Sequence, residues 1–327
     1  MSLDSDVIVD RRRIRRKLTF WRIIAALGII AAVIAVAALG TPAGRNALGS
    51  SSSIARIKID GLIRSDQERV EALEQLEKSS SAAAVIVHIN SPGGTTAGSE
   101  QLYDALMRLK AKKPLVVVVD GLCASGGYIA ALASDQIIAQ QSSLVGSIGV
   151  LFQYPNFSEL MKTVGVKVEE VKSSPLKAAP NGYEPTSPEA RAALDALVKD
   201  SYAWFRELVK TRRSMDDTTL QTVSDGRVFT GRQAVSLKLI DQLGDEKTAV
   251  AWLVAQKKIS SELPVRDYKL TPRFGDMTFL RATASFALDT LGLSSLARQL
   301  EQSGVVRAVD RFGLDGMLAL WQPNASN

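Results

Sequence analysis

The chain has 327 residues, 46% of them hydrophobic, which is enough to fill the core of one substantial domain and excludes global disorder. Its formal net charge is +6, but seven basic against three acidic side chains in residues 1–22 supply +4 of that, and the other 305 residues carry only +2. A body so nearly neutral excludes a broad nucleic-acid surface, and one cysteine with one histidine is too few for a disulfide or for a zinc site built from them.

In chain order, the basic cluster (Arg11, Arg12, Arg13, Arg15, Arg16, Lys17 and Arg22) precedes an uncharged apolar run from Ile23 to Leu39. With Phe20 and Trp21 at its edge, the run approaches the ~20 residues a helix needs to cross a bilayer. Positive charge on its N-terminal side predicts a cytoplasmic tail over 1–19, an anchor over 20–40 and a body on the outer side of the membrane. Ala35 and Ala37 would suit a cleaved signal peptide, but such peptides have apolar regions of about 7–15 residues, and the longer run favours an uncleaved anchor. Residues 41–53, rich in Gly, Ser and Ala, read as a flexible tether.

The body alternates strand and helix patterns. Ile54–Ile59 reads as a strand, and Ser65–Ser79 as a helix with Val70, Leu73 and Leu76 on one face. Ala83–Ile89 is a strand pattern ending in Asn90-Ser91-Pro92-Gly93-Gly94, a turn signal. Ala97–Lys110 reads as an amphipathic helix, and Pro114–Asp120 as a strand buried on both faces. A helix begins at Tyr128, and Gln136–Ala139 and Leu144–Leu151 are further strand candidates. Helices are expected over Pro188–Arg213, Gly231–Leu239 and Lys247–Lys257, and Pro264–Pro272 reads as a connector. The alternation implies an α/β domain with parallel strands over 54–260. Residues 261–327 read as a helical C-terminal extension, with apolar faces from Met277 onward.

Two segments could carry chemistry. Leu122-Cys123-Ala124-Ser125-Gly126-Gly127-Tyr128 puts a serine between a buried strand and a helix, where free backbone N–H groups favour developing negative charge. Gly126 and Gly127 allow a tight turn and close approach of a substrate backbone. A serine N-cap before a turn is the alternative. Gly93 and Gly94 present N–H groups able to stabilise an oxyanion, or simply end a strand. The only histidine, His88, lies in an alternating strand and reads as a strand-surface residue, so a Ser-His-Asp triad is poorly supported. A lysine base has to be desolvated. Lys177, in Pro175-Leu176-Lys177-Ala178-Ala179-Pro180, has apolar neighbours, whereas Lys172 follows Glu169 and Glu170, which keep it charged. Cys123 reads as a small buried packing residue, and Asp120 and Asp135 as turn and helix-end residues. No phosphate-binding loop motif is present.

The order SPGG, ASGGY and GSIGV (Gly146–Val150), followed by Thr186–Arg191 and Asp225–Ala234, resembles peptidase family S49, whose best-known member is signal peptide peptidase A. The resemblance covers about residues 54–255. It implies a ClpP/crotonase-like α/β fold and a serine endopeptidase working through a Ser–Lys dyad without metal or cofactor. On its motifs the nucleophile falls on Ser125, the oxyanion hole on Gly93 or Gly94, and substrate contacts on Gly126 and Ser147. The base falls on Lys177, in Lys172–Lys177, where Ser174 replaces the family's Gly, Leu176 its Tyr and Ala178 a polar residue. It further implies peptide substrates, above all remnant signal peptides, and a ring-like homo-oligomer whose neighbouring subunits complete each dyad. The protein would lie single-pass in a bacterial inner membrane, touching lipid but not nucleic acid, with the catalytic domain on the periplasmic side. A crotonase-like acyl-CoA enzyme and an inactive membrane-anchored scaffold are the rival expectations.

Overall fold

The computed structural model describes residues 52–270 and 318–320, together with Trp21 and Ile24. The expected tail, anchor and most of the tether, and the helices expected beyond Met277, lie outside the described residues. Among the described residues no helix is long and apolar enough to cross a membrane.

β1 (Ser53–Ile63), β2 (Ala82–Thr95) and β3 (Leu115–Ala124) form the parallel centre of one sheet. β3 pairs along its first half with β4 (Gln136–Ala139) and along its second half with β5 (Leu144–Gly146). β6 (Val228–Thr230) closes the β5 edge antiparallel, and β7 (Gln242–Leu243) adds to β4. β8 (Val265–Asp267) pairs parallel with the outer edge of β1, and β9 (Leu318–Leu320) pairs antiparallel with the end of β2. The described parts of the C-terminal stretch are therefore strands, and the connector read over Pro264–Pro272 contains one of them.

The strands sort their side chains by alternation. Val85, Val87 and Ile89 of β2, with Leu115, Val117 and Val119 of β3, face one core. That core also holds residues of α1 (Gln67–Lys78), α2 (Thr96–Lys112), α3 (Gly126–Ala131) and α5 (Pro188–Arg213). Ala84, Ile86, Val116 and Val118 face the other side, against Ala249 and Leu253 of α8 (Glu246–Lys257). Val70, Leu73 and Leu76 are buried on α1 as their spacing predicts, and Asp66 caps that helix by accepting from the Arg69 N–H. The remaining helices are short: α4 (Ser158–Thr163), α6 (Asp217–Val223) and α7 (Gly231–Ser236).

Asn90–Gly94 is not a turn. β2 runs through it to Thr95, because β1 pairs beside it as far as Ile63↔Gly94, past an irregularity between Asp60 and Leu62. Gly61, at φ 71°, lies within that irregularity. Gly94 is dictated by close approach: a Cβ there would stand 1.8 Å from the Ile63 carbonyl oxygen. The strand expected over Leu144–Leu151 stops at Gly146, where φ is 108°, and Ser147 follows at φ 53°.

Candidate active site

Four of the sequence segments meet at one end of the parallel strands. Ser91 on β2 stands opposite Cys123 on β3. Two residues further, Ser125 ends β3 and begins α3 with φ 53° and ψ −116°, a backbone conformation that costs a non-glycine residue about 1–3 kcal/mol. A sharp strand-to-helix turn with the serine at its strained apex is the geometry of a nucleophile elbow. Its N–H donates to the Gly146 carbonyl at 2.7 Å and its Oγ to the Gly149 carbonyl at 3.5 Å, so the GSIGV segment packs directly against it. Gly126 opens α3, and Gly127 sits tightly: a Cβ there would lie 3.0 Å from the Ser91 carbonyl oxygen. Tyr128 fixes α3 from beneath, donating its hydroxyl to the Leu239 carbonyl at 2.7 Å.

Gly93 and Gly94 follow Ser91 on the strand beside the Ser125 turn. Ser91 was missed by the sequence reading, yet it organises the segment. Its Oγ donates to the Gly61 carbonyl at 2.7 Å and accepts from the Gly93 N–H at 3.1 Å. The only available signal was a small hydroxyl residue just ahead of a proline and two glycines. Ser147 is buried, with its N–H donating to the Arg227 carbonyl at 2.8 Å, while Gly146 packs on the Phe229 ring. The Asp225–Ala234 segment thus buttresses the loop that touches Ser125.

No hydrogen bond joins Lys177 to Ser125 among the described residues. Lys177 is exposed on the long 151–187 segment between β5 and α5, and among the described residues its ammonium group has no ion pair or hydrogen bond. Lys172 is held by Glu170 at 2.7 Å and Glu184 at 2.6 Å, and these carboxylates raise its pKa; of the two expected partners Glu170 serves, while Glu169 pairs with Lys167. The same segment exposes Phe157, Leu160, Val164, Val166, Val171 and Leu176.

His88 belongs to a different cluster. Its Nδ1 lies 2.8 Å from Asp120 and its Nε2 2.9 Å from Glu246, which is itself clamped by Arg56. His88 stands opposite Val118, three residues before Ser91 and so about 10 Å from it along β2 at ~3.3 Å per residue, and both of its ring nitrogens are engaged by Asp120 and Glu246 rather than by Ser125. Asp120 is thereby corrected from a turn residue to a mid-strand partner of histidine. Asp135 accepts from the Leu115 N–H at 3.0 Å and so ties β3 to the start of β4. Cys123 is fully buried, and burial pushes its thiol pKa well above the usual range, which suits packing and not nucleophilic attack.

Comparison with known proteins identifies what the chain is similar to. The model described as Peptidase family S49 matches residues 107–260, and the Clp protease model matches residues 56–143. "Putative protease slr0021" of Synechocystis sp. is 36% identical over 201 residues, covering 61% of this chain and 72% of the relative. "Putative signal peptide peptidase SppA" of Enterococcus faecium is 28% identical over 234 residues, covering 67% of this chain and 68% of the relative. A point mutant of ClpP1 from Listeria monocytogenes aligns with 58% of this chain and 91% of its own, at 14% identity and a TM-score of 0.39.

Proposed function

The chain belongs to peptidase family S49 and is a serine peptidase of ClpP-like α/β fold, and from that premise we propose that Ser125 is its nucleophile and Lys177 its general base. The observation that carries the reading is the strained Ser125 apex, hydrogen-bonded to the Gly146 and Gly149 carbonyls, with Gly127 of the same turn close against the Ser91 carbonyl. In the proposed reaction Ser125 Oγ attacks the scissile carbonyl and Lys177 takes its proton. Lys177 then returns that proton to the leaving amine, and a water hydrolyses the acyl-enzyme. The Gly94 N–H receives the oxyanion, that of Gly93 being engaged by Ser91 Oγ, and Gly126 and Ser147 border the peptide.

The Lys177 that serves a given Ser125 comes, in this proposal, from a neighbouring subunit of a homo-oligomer, ring-like as the resemblance implies. What supports it is the apolar side chains exposed on the 151–187 segment that carries Lys177, which need covering. The substrates proposed are remnant signal peptides and other membrane-derived peptides, in keeping with the name of the Enterococcus relative. The apolar run at 23–39 supports an anchor in a bacterial inner membrane, with the catalytic domain on the periplasmic side.

The test is cleavage of a quenched fluorescent peptide by the full chain. Ser125→Ala should lower kcat by at least about 10⁴, and Lys177→Ala similarly. Mixing the two dead variants before assembly should restore about a quarter of wild-type activity if neighbouring subunits share dyads, and none if each chain is self-contained. Full activity in Ser125→Ala would refute the nucleophile assignment.

A further inference from the structure

We propose that Ser91 is a positioning residue for the reaction: its buried hydroxyl fixes which glycine N–H meets the oxyanion and holds that stretch of β2 against the Ser125 turn. The inference rests on the Ser125 reading above and adds to it a residue that acts through the donor strand. Both ladders of β2 are irregular at this level, between Asp60 and Leu62 on the β1 side and between Ile89 and Ser91 on the β3 side. Regular strand pairing therefore does not by itself set the geometry of the stretch that follows. The Ser91 side chain does. It is fully buried, and its Oγ donates at 2.7 Å to the carbonyl of Gly61, the residue within the β1 irregularity. The same Oγ accepts from the Gly93 N–H at 3.1 Å, so the hydroxyl is used in both directions.

Two consequences bear on the chemistry. Gly93 has φ 101°, a conformation open to glycine, and its N–H is turned back onto Ser91. One of the two candidate donors is thereby withdrawn, and the next N–H along, that of Gly94, is the one the oxyanion meets. Ser91 also packs against the nucleophile turn: a Cβ on Gly127 would stand 3.0 Å from the Ser91 carbonyl oxygen, 3.3 Å from its Cβ and 3.5 Å from its Oγ. A single residue thus ties together the β1 irregularity, the donor strand and the turn that carries Ser125. Oxyanion stabilisation needs donors held in place before charge develops, and a misplacement of about 1 Å lowers the rate roughly 10²-fold. Removing the hydroxyl deprives the Gly61 carbonyl and the Gly93 N–H of this partner and frees the donor strand to shift against Ser125.

The experiment compares the full chain with Ser91→Ala and Ser91→Cys, counting active sites by labelling with a fluorophosphonate so that misfolded molecules drop out of the rate. Ser91→Ala should lower kcat per labelled site roughly 30-fold and leave KM within about twofold of wild type. Ser91→Cys, which keeps the side-chain shape and a weak hydrogen-bonding group, should recover part of that loss. A peptide boronate, whose tetrahedral adduct with Ser125 puts an oxygen where the oxyanion forms, should lose affinity by the same factor as kcat. A purely structural serine would change the number of labelled sites and the stability, but not kcat per site or boronate affinity. If Ser125→Ala is dead and Ser91→Ala keeps both of those within about twofold of wild type, the Ser91 inference is overturned and the nucleophile stands. If Ser125→Ala still cleaves, the underlying reading fails and the Ser91 inference fails with it. Should Ser91→Ala not fold, Ser91→Cys decides by the same two readouts: kcat and boronate affinity falling together by about fivefold or more support the proposal, and wild-type values for both refute it.

Discussion

Gly94→Ala is the sharpest perturbation of the site short of removing a catalytic group. The added methyl would meet only backbone: the Ile63 carbonyl oxygen at 1.8 Å, its carbon at 2.5 Å and the Ile63 nitrogen at 2.6 Å. No rotamer change relieves such a contact. β1 and β2 have to part by about 1 Å or more where strands normally lie ~4.8 Å apart. Overpacking costs about 1–3 kcal/mol, and one or two weakened ladder hydrogen bonds add about 1 kcal/mol each, so the expected loss is about 3–5 kcal/mol. The same displacement would move a proposed oxyanion donor by about 1 Å, enough to lower kcat roughly 10²-fold in whatever fraction stays folded. Gly61→Ala is the control. Nothing lies within 4 Å of its Cβ position, so only the strain of φ 71° is paid, about 1–2 kcal/mol. Urea unfolding followed by tryptophan fluorescence, with peptide cleavage measured alongside, distinguishes the two. If Gly94→Ala is as stable and as active as Gly61→Ala, β1 and β2 do not approach as described and the placement of the proposed oxyanion strand is wrong.

Three further outcomes are expected. Tyr128→Phe leaves the buried Leu239 carbonyl without its donor and should cost about 1–2 kcal/mol, read as a lower urea midpoint with the m-value unchanged. Lys172→Met should leave cleavage within about twofold of wild type, because its ammonium is tied to Glu170 and Glu184 and serves no proton transfer; a loss comparable to that of Lys177→Ala would exchange the roles of the two lysines. Glu246 gives a pH signature. Hydrogen bonding from Arg56 above all, with a smaller share from His88, holds its carboxyl below the usual range against the opposing effect of burial. A depressed folded pKa means that the stabilisation is present above the ordinary glutamate range and is lost as pH falls through the folded value. Glu246→Gln should therefore cost about 1–2 kcal/mol at pH 7 and much less at pH 3, measured by thermal melts; an equal cost at both values would refute the ion-pair account.

Where the sequence was legible, one physical signal acted alone. The alternation in Val85–Ile89 marked a strand and the unbroken apolar run of Leu115–Val119 one with two buried faces, and the 26 residues of α5 begin and end as their periodicity predicts. Where it was not, tertiary pairing overrode local preference. Ser91-Pro92-Gly93-Gly94 has the composition of a turn, but strands on both sides hold it extended. Val265–Asp267 is too short to show a period and is a strand only because the edge of β1 accepts it. Asp120 looked like punctuation between a strand and a glycine, and its partner His88 lies 32 residues away on the neighbouring strand. The Ser125 turn was readable from its glycines, because those glycines answer to close contacts that any occupant of the site must satisfy.

Under the proposed reading, the chemistry of a lysine base explains why Ser125 and Lys177 would come from neighbouring chains. An ammonium group in water does not accept a proton, and a lysine becomes a base only when desolvated. The single histidine cannot substitute, since both of its ring nitrogens are engaged by carboxylates. Lys177 is exposed, as are Leu176 and other apolar side chains of the 151–187 segment. Under the proposed reading, the surface that assembly buries is the surface that must be dry for Lys177 to work. Association and activation would then be one event, and an isolated chain, however well its Ser125 turn is built, would be unable to cut.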